Sequence, residues 1–162
     1  MDESPKAVTA PIRVAVIGYG YWGPNLVRNF SGLDDCVVTA VCDLDEVARA
    51  TAGRFYPAVR IVGDVEELLA SDDVDAVAIA TPVSSHFPLA QQVIRSGRHV
   101  LIEKPMTTTS QQARELISLS EDAGVVLMVD HTFLYTGAVR KMRALLEEGK
   151  IGTPYYFDSE RI

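Results

Sequence analysis

Apolar residues arrive in short runs separated by polar, helix-compatible stretches, and the alternation repeats along most of the chain. Residues 12–17 have the nearly continuous apolar character of a strand buried on both faces. A helix follows over about 22–30, with Leu26, Val27 and Phe30 as its inward stripe. Pro24 fits there because the first helical turn has no intrahelical use for its missing N–H. Residues 37–42 predict a second strand, and 45–55 a helix with Leu44, Ala48, Thr51 and Phe55 on one side. A short strand at 61–62 precedes Asp64 and Glu67, which predict a capping box for a helix ending near Ser71. Residues 76–80 read as a fourth strand closed by Thr81-Pro82. A helix starting at Ser84 or Ser85 then points Leu89, Ala90, Val93 and Ile94 inward and stops at Gly97. A fifth strand over 99–102 ends in Glu103-Lys104-Pro105. Thr109 and Gln112 predict another capping box, with Ala113, Leu116, Ile117 and Ser120 facing inward up to Gly124 and a sixth strand over 125–129.

Strands alternating with helices through short turns predict a parallel α/β sheet, doubly wound because each crossover is right-handed. Ligands of such sheets bind at the carboxyl ends of the strands. The unusual residues all fall there: Gly18, Asp43, Thr81-Pro82, Glu103-Lys104-Pro105 and Asp130-His131. After the sixth strand the pattern changes. Residues 137–148 predict an amphipathic helix with Val139, Met142, Leu145 and Leu146 on its apolar face and Gly149 as its stop. Residues 153–162 predict an aromatic-rich strand, the first of a second, α+β domain. The expected organisation is a loose leader over 1–11, one α/β domain over 12–136, and a linking helix with the start of another domain over 137–162.

A chain of 162 residues supports one domain with a full core. A formal charge of -7 with no basic cluster argues against nucleic acid as a partner. The apolar runs fall far short of the ~20 residues a membrane helix needs. The polar start Met1-Asp2-Glu3-Ser4-Pro5-Lys6 lacks a secretory layout, so a cytoplasmic protein is expected. Cys36 and Cys42 read as reduced core thiols, and His86, His99 and His131 have no metal-ligand spacing, so no metal is expected.

The stretch from Arg13 to Pro24 carries Gly18-x-Gly20-x-x-Gly23 directly after the first strand. Gly18 permits a tight turn, Gly20 lets a pyrophosphate approach the backbone, and Gly23 lets the helix pack on the sheet with phosphates at its positive N-terminus. Asp43 ends the second strand 20 residues beyond Gly23. Its carboxylate suits the hydroxyls of an adenosine ribose and repels a 2′-phosphate, and Leu44 beside it offers no cation. NAD is therefore expected in preference to NADP. Helix capping is the plainer role for the same residue. Lys104 is biased towards an extended conformation by Pro105, and a lysine so aimed can handle the proton of a reacting hydroxyl. From spacing alone, a surface lysine in a loop is the better reading.

Gly18-Tyr19-Gly20-Tyr21-Trp22-Gly23, Thr81-Pro82-x-x-x-His86 and Glu103-Lys104-Pro105, in this order and on these elements, resemble the glucose–fructose oxidoreductase / inositol dehydrogenase / MocA (Gfo/Idh/MocA) family. The resemblance spans residues 12 to 162 and implies a Rossmann-type NAD-binding domain of an oxidoreductase acting on sugars. It implies that Lys104 is the catalytic lysine, bonded to the substrate hydroxyl and the nicotinamide ribose, and that Glu103 holds that ribose. Thr81, Pro82 and His86 would line the dinucleotide path with Pro105 at the turn. Trp22, with Tyr19 and Tyr21, would flank the pyrophosphate, and His131 would pass the nicotinamide. Phe133-Leu134-Tyr135 stands where many members carry an arginine–aromatic pair. The runs around Gly20 and His131 are similar to the branch acting on nucleotide-activated sugars. The family also implies homo-oligomers formed through the second domain, which supplies the substrate pocket. Two other readings of the residues are a non-catalytic dinucleotide-binding sensor or assembly module, and a methyltransferase built on a similar sheet.

Overall fold

The computed structural model describes residues 10–160. Nearly all of the expected leader, and residues 161–162 of the expected terminal strand, lie outside the described residues. Strands β1 (Ile12–Ile17), β2 (Cys36–Cys42), β3 (Arg60–Val62), β4 (Ala76–Ile79), β5 (His99–Ile102) and β6 (Leu127–Val129) form one parallel sheet in the order β3-β2-β1-β4-β5-β6. The winding reverses between β1 and β4, which opens a crevice at the carboxyl ends of those two strands. This is the doubly wound α/β architecture that the strand–helix alternation predicts.

Five helices cover the sheet: α1 (Gly23–Ser31), α2 (Glu46–Phe55), α3 (Val65–Leu69), α4 (Val83–Arg95) and α5 (Ser110–Ala123). Successive strand side chains point to opposite faces, so the core divides in two. Leu26 and Val27 of α1 and Ala52 of α2 pack with Val16, Val41 and Ala78 on one face. Leu68 of α3, Ala90, Val93 and Ile94 of α4 and Leu116 of α5 pack with Ile17, Ile79 and Ile102 on the other. Polar residues start three of the helices. The Asp45 carboxylate accepts from the amides of Val47 and Ala48, that of Asp64 from Glu66 and Glu67, and Thr109 Oγ1 from Gln112.

One irregularity sets the register of the site. β1 and β2 pair as Val14 with Val38 but Ala15 with Ala40, which leaves Thr39 as an extra residue. The bulge brings Cys42 opposite Ile17, and so sets Asp43 against Gly18 at the sheet edge.

Several expectations change. Leu44 and Phe55 are exposed, not inward: Leu44 precedes the Asp45 cap, and Phe55 is the last residue of α2, with the Arg54 guanidinium over its ring; Ala48 and Ala52 form the inner face of the helix. Ile117 is 45% exposed, since α5 covers the sheet margin with a narrow stripe centred on Leu116. Gln112 accepts from Thr108 Oγ1 through its side chain, which makes Thr109 a simple cap. Cys36 is half-buried and only Cys42 is a core thiol. The helix expected from Ser84 or Ser85 starts at Val83, with Pro82 as its N-cap.

The chain divides into two compact units, one closing at Asp130 and one from His131 onward. In the second, a 3-10 turn (Thr132–Tyr135) leads into α6 (Gly137–Glu147). Thr136 Oγ1 donates to Phe133 O at 2.8 Å, and the Arg140 guanidinium lies 6.0 Å from the Tyr135 ring centre. α6 has no buried residue, and Met142 and Leu146 of its expected apolar face are exposed. The strand expected over 153–162 is not formed across residues 153–160. That segment has no ladder partner among the described residues, and its backbone runs irregularly.

Candidate functional site

The ladder of the sheet continues one residue past the strands, and the residues held there are, or adjoin, residues that the sequence singles out. The Gly18 amide donates to Cys42 O at 2.8 Å, Asp43 to Val62 O at 3.2 Å and Ala80 to Ile17 O at 2.8 Å. Glu103 donates to Ile79 O at 2.9 Å and Asp130 to Ile102 O at 2.8 Å. Five positions along one edge are thus held by backbone bonds.

The three glycines of the turn differ in surroundings. Gly18 has φ +94°, and a Cβ there would sit 2.9 Å from the Ala80 backbone and from Thr81 Cγ2. A Cβ on Gly23 would overlap the Gly18 carbonyl oxygen. A Cβ on Gly20 would meet nothing within 4 Å. Gly18 and Gly23 are therefore required by the protein's own packing, whereas Gly20 borders open space. Tyr21 and Trp22 stack beside the turn with ring centres 6.3 Å apart. Tyr19 is buried in the core and presents its backbone N–H, which donates to Asp43 Oδ2 at 2.5 Å.

Asp43 Oδ1 accepts from the Asp45 amide at 2.8 Å. The carboxylate ties the glycine turn to the residue that caps α2; the cap itself is Asp45, not Asp43, so the plainer capping role falls to Asp45 and Asp43 is left with a fixed orientation. Each oxygen keeps a lone pair for a further donor. Arg49, one helical turn past the Asp45 cap, reaches back so that Nη1 donates to Asp43 O at 2.9 Å and Leu44 O at 2.8 Å. A cation does therefore stand beside Asp43, contrary to the expectation from Leu44 alone, and it is engaged with backbone. Burial, with Asp43 adding to it, pushes the Cys42 thiol up to about 11, so it stays protonated beside the turn.

A cavity of about 700 Å³ opens over these residues, lined by Gly18, Gly20, Trp22, Asp43, Thr81 and Pro82 among others. Leu44, Val65 and Leu89 add apolar wall, and Asp64, Ser85 and Gln92 add polar groups absent from the sequence expectation. α1 begins at the turn with no side-chain cap and no acidic residue in its first turn, which leaves its positive end facing the glycines.

His86 links the second group of expected residues. Its ring is 1% exposed, with Nδ1 3.0 Å from Pro105 O and Nε2 2.8 Å from Thr81 O. The imidazole holds two turns together and reaches the crevice only through them. Ser85 Oγ donates to Thr81 Oγ1 at 2.7 Å, which fixes that hydroxyl as well. The Lys104–Pro105 bond is cis, and Lys104 and Pro105 are exposed. Glu103 turns inward. It is 9% exposed, and Oε2 accepts from the Lys104 amide at 3.2 Å. Burial, with the Asp130 carboxyl in hydrogen-bond reach, raises its carboxyl to about 7. His131 is exposed and opens the second unit. The first unit thus brings together the glycine turn, Asp43 and Thr81-Pro82, with Glu103 to Pro105 joined on through His86.

Residues 12–131 match the model of a family described as an oxidoreductase family with an NAD-binding Rossmann fold, GFO_IDH_MocA. The chain is 34% identical over 152 residues to an uncharacterized oxidoreductase of Escherichia coli (strain K12), YdgJ, covering 91% of this chain and 42% of that one. It is 31% identical over 142 residues to a D-apiose dehydrogenase of Paraburkholderia graminis, covering 88% and 38%. The fold superposes on the WlbA dehydrogenase of Bordetella pertussis, solved with NADH and UDP-GlcNAcA, with a TM-score of 0.84 and 26% identity over 88% of this chain and 41% of that one. The chain spans about two-fifths of the length of these relatives.

Proposed function

The chain belongs to the Gfo/Idh/MocA oxidoreductase family, and from that premise we propose that it is the cofactor-holding part of an NAD-dependent dehydrogenase acting on a sugar-type secondary alcohol. The observation that carries this reading is the crevice at the winding reversal. There Gly20 borders open space, α1 presents an uncapped N-terminus, and Asp43 is locked with lone pairs to spare. These residues fit a dinucleotide. The α1 N-terminus and the backbone at Gly20 would take the pyrophosphate, and Asp43 would accept from the adenosine ribose. The Asp43 charge disfavours a 2′-phosphate, so NAD is preferred to NADP.

When bound, the nicotinamide supplies the hydride chemistry. The chain's own contribution is orientation and proton handling. Thr81 and Pro82, with Thr81 fixed by Ser85 and His86, form the wall along which the dinucleotide runs. Lys104 is exposed directly after β5, and its Nζ would exchange the proton of the substrate hydroxyl. A D-apiose dehydrogenase and an enzyme crystallised with UDP-GlcNAcA among the relatives support a sugar or nucleotide-sugar substrate. The test is a calorimetric titration of the chain with NADH and NADPH. NADH should bind more tightly, and Asp43→Ala should weaken it by roughly tenfold or more, the loss of a charged hydrogen-bond acceptor. Absence of NADH binding, or a preference for NADPH, refutes the reading.

A further inference from the structure

β5 and β6 pair with Ile102 opposite Val129, so the next residues, Glu103 and Asp130, stand side by side at the carboxyl edge. Each backbone is pinned by its own amide bond to the adjacent strand. Their carboxyl groups lie within hydrogen-bond reach of each other. Two ionised carboxylates are acceptors only and repel at that distance, so a shared proton stabilises the pair. Its location follows from the surroundings. Asp130 is half-buried and Glu103 is buried, so desolvation falls mainly on Glu103. Of the Glu103 oxygens, Oε2 accepts from the Lys104 amide, while Oε1 is buried and receives no hydrogen bond from any donor. Oε1 is the oxygen left to carry the proton.

We propose that Asp130 is a positioning residue. It accepts a hydrogen bond from the protonated carboxyl of Glu103, and this acid–carboxylate pair holds the Glu103-Lys104-Pro105 turn in the arrangement that receives the dinucleotide. The role in cofactor binding rests on the proposed function; the pair itself does not. The charged groups facing Glu103 are Lys104 on its own turn and Asp130 from the end of β6. The imidazole of His86, from α4, is engaged by Thr81 O and Pro105 O. With the shared proton present, Glu103, Asp130 and Lys104 sum to no net charge. Its loss leaves one negative charge beside a site for an anionic dinucleotide and sets two carboxylates against each other at the base of the turn. The consequence is a cofactor site that weakens as the pair ionises.

The chain labelled with carboxyl-13C glutamate, titrated by NMR from about pH 4 to 9, tests the pair. One glutamate should titrate near neutrality and vanish in Glu103→Gln, and Asp130→Asn should move its midpoint down by at least about one pH unit. Asp130→Ser serves the same purpose should the asparagine variant fold poorly. If every glutamate titrates in the ordinary acidic range, or if both Asp130 variants leave the midpoint in place, the pair is refuted. In parallel, the NADH dissociation constant should rise about fivefold or more between pH 6 and 8.5, and Asp130→Asn should shift that rise to lower pH. A flat profile with the titration intact overturns the positioning role. Failure to bind NADH at any pH would refute the dehydrogenase reading and the positioning role together, while the titration alone still decides whether the pair exists.

Discussion

Gly20 and Gly23 are three residues apart in one turn, yet alanine at each should have opposite effects. A Cβ at Gly23 overlaps the Gly18 carbonyl oxygen and comes within 2.9 Å of its carbon. Both obstacles are backbone, held by the Gly18 amide bond to Cys42 O, so neither can swing aside. α1 would have to lift by about 1 Å, which strips contact from Leu26 and Val27. Overpacking of that kind costs roughly 2–3 kcal/mol, or about 5–10 °C in Tm for a chain of this size. At Gly20 a Cβ meets nothing and φ is outside the left-handed region. Gly20→Ala should fold with unchanged or slightly raised stability, within about 1 kcal/mol, since alanine restricts the unfolded chain. The same methyl occupies the space proposed for the pyrophosphate, so NADH affinity should drop by roughly tenfold or more. Thermal denaturation with calorimetric NADH titration of both variants separates the two roles. Full NADH affinity in Gly20→Ala would refute the proposed approach of the phosphates. Wild-type Tm in Gly23→Ala would refute the packing argument.

Removing the ring in His86→Ala empties a buried volume and strands Thr81 O and Pro105 O, so urea denaturation should show a loss of about 2–4 kcal/mol. Glu103 has its folded value raised from 4.5 to about 7. Its contribution to stability is therefore complete below about pH 4.5 and is lost as pH rises to about 7. The stability difference between wild type and Glu103→Gln should accordingly shift against wild type by roughly 1–3 kcal/mol between pH 4.5 and 8, as read from urea midpoints. Lys104→Ala, at an exposed position, should leave Tm within about 1 °C. In a protein that also carries the substrate-binding part, it should slow hydride transfer by about 10²-fold or more in single-turnover measurements.

The sheet was legible because its strands are short apolar runs bounded by residues that stop them. β1 and β5 begin and end where the pattern places them, and the glycine spacing marks the turn after β1. What the pattern could not convey depends on contacts between distant segments. Thr39 is the one polar residue of Cys36–Cys42, but a single threonine is ordinary within a strand, so nothing in the pattern marks it as a bulge. Leu44 and Phe55 are apolar and belong to the expected stripe of α2, but they stand at its two ends, one before the Asp45 cap and one at the last helical residue, and both are exposed. The pairing of Glu103 with Asp130 requires β5 and β6 to be neighbours in a known register. Arg49 did carry a usable signal, since a long side chain four residues after the Asp45 cap can fold back over its own helix start.

The five amide bonds that continue the ladder past the strands have a dynamic consequence. Amides of this kind exchange with solvent only when the sheet itself opens, so the edge bearing Gly18, Asp43, Ala80, Glu103 and Asp130 should show the slow hydrogen exchange of the core. A site built on such amides does not stiffen when its ligand arrives, and little backbone freedom remains to be lost on binding. Affinity lost through a destabilising change deep in the sheet would then appear as a smaller fraction of competent molecules, each binding as tightly as before.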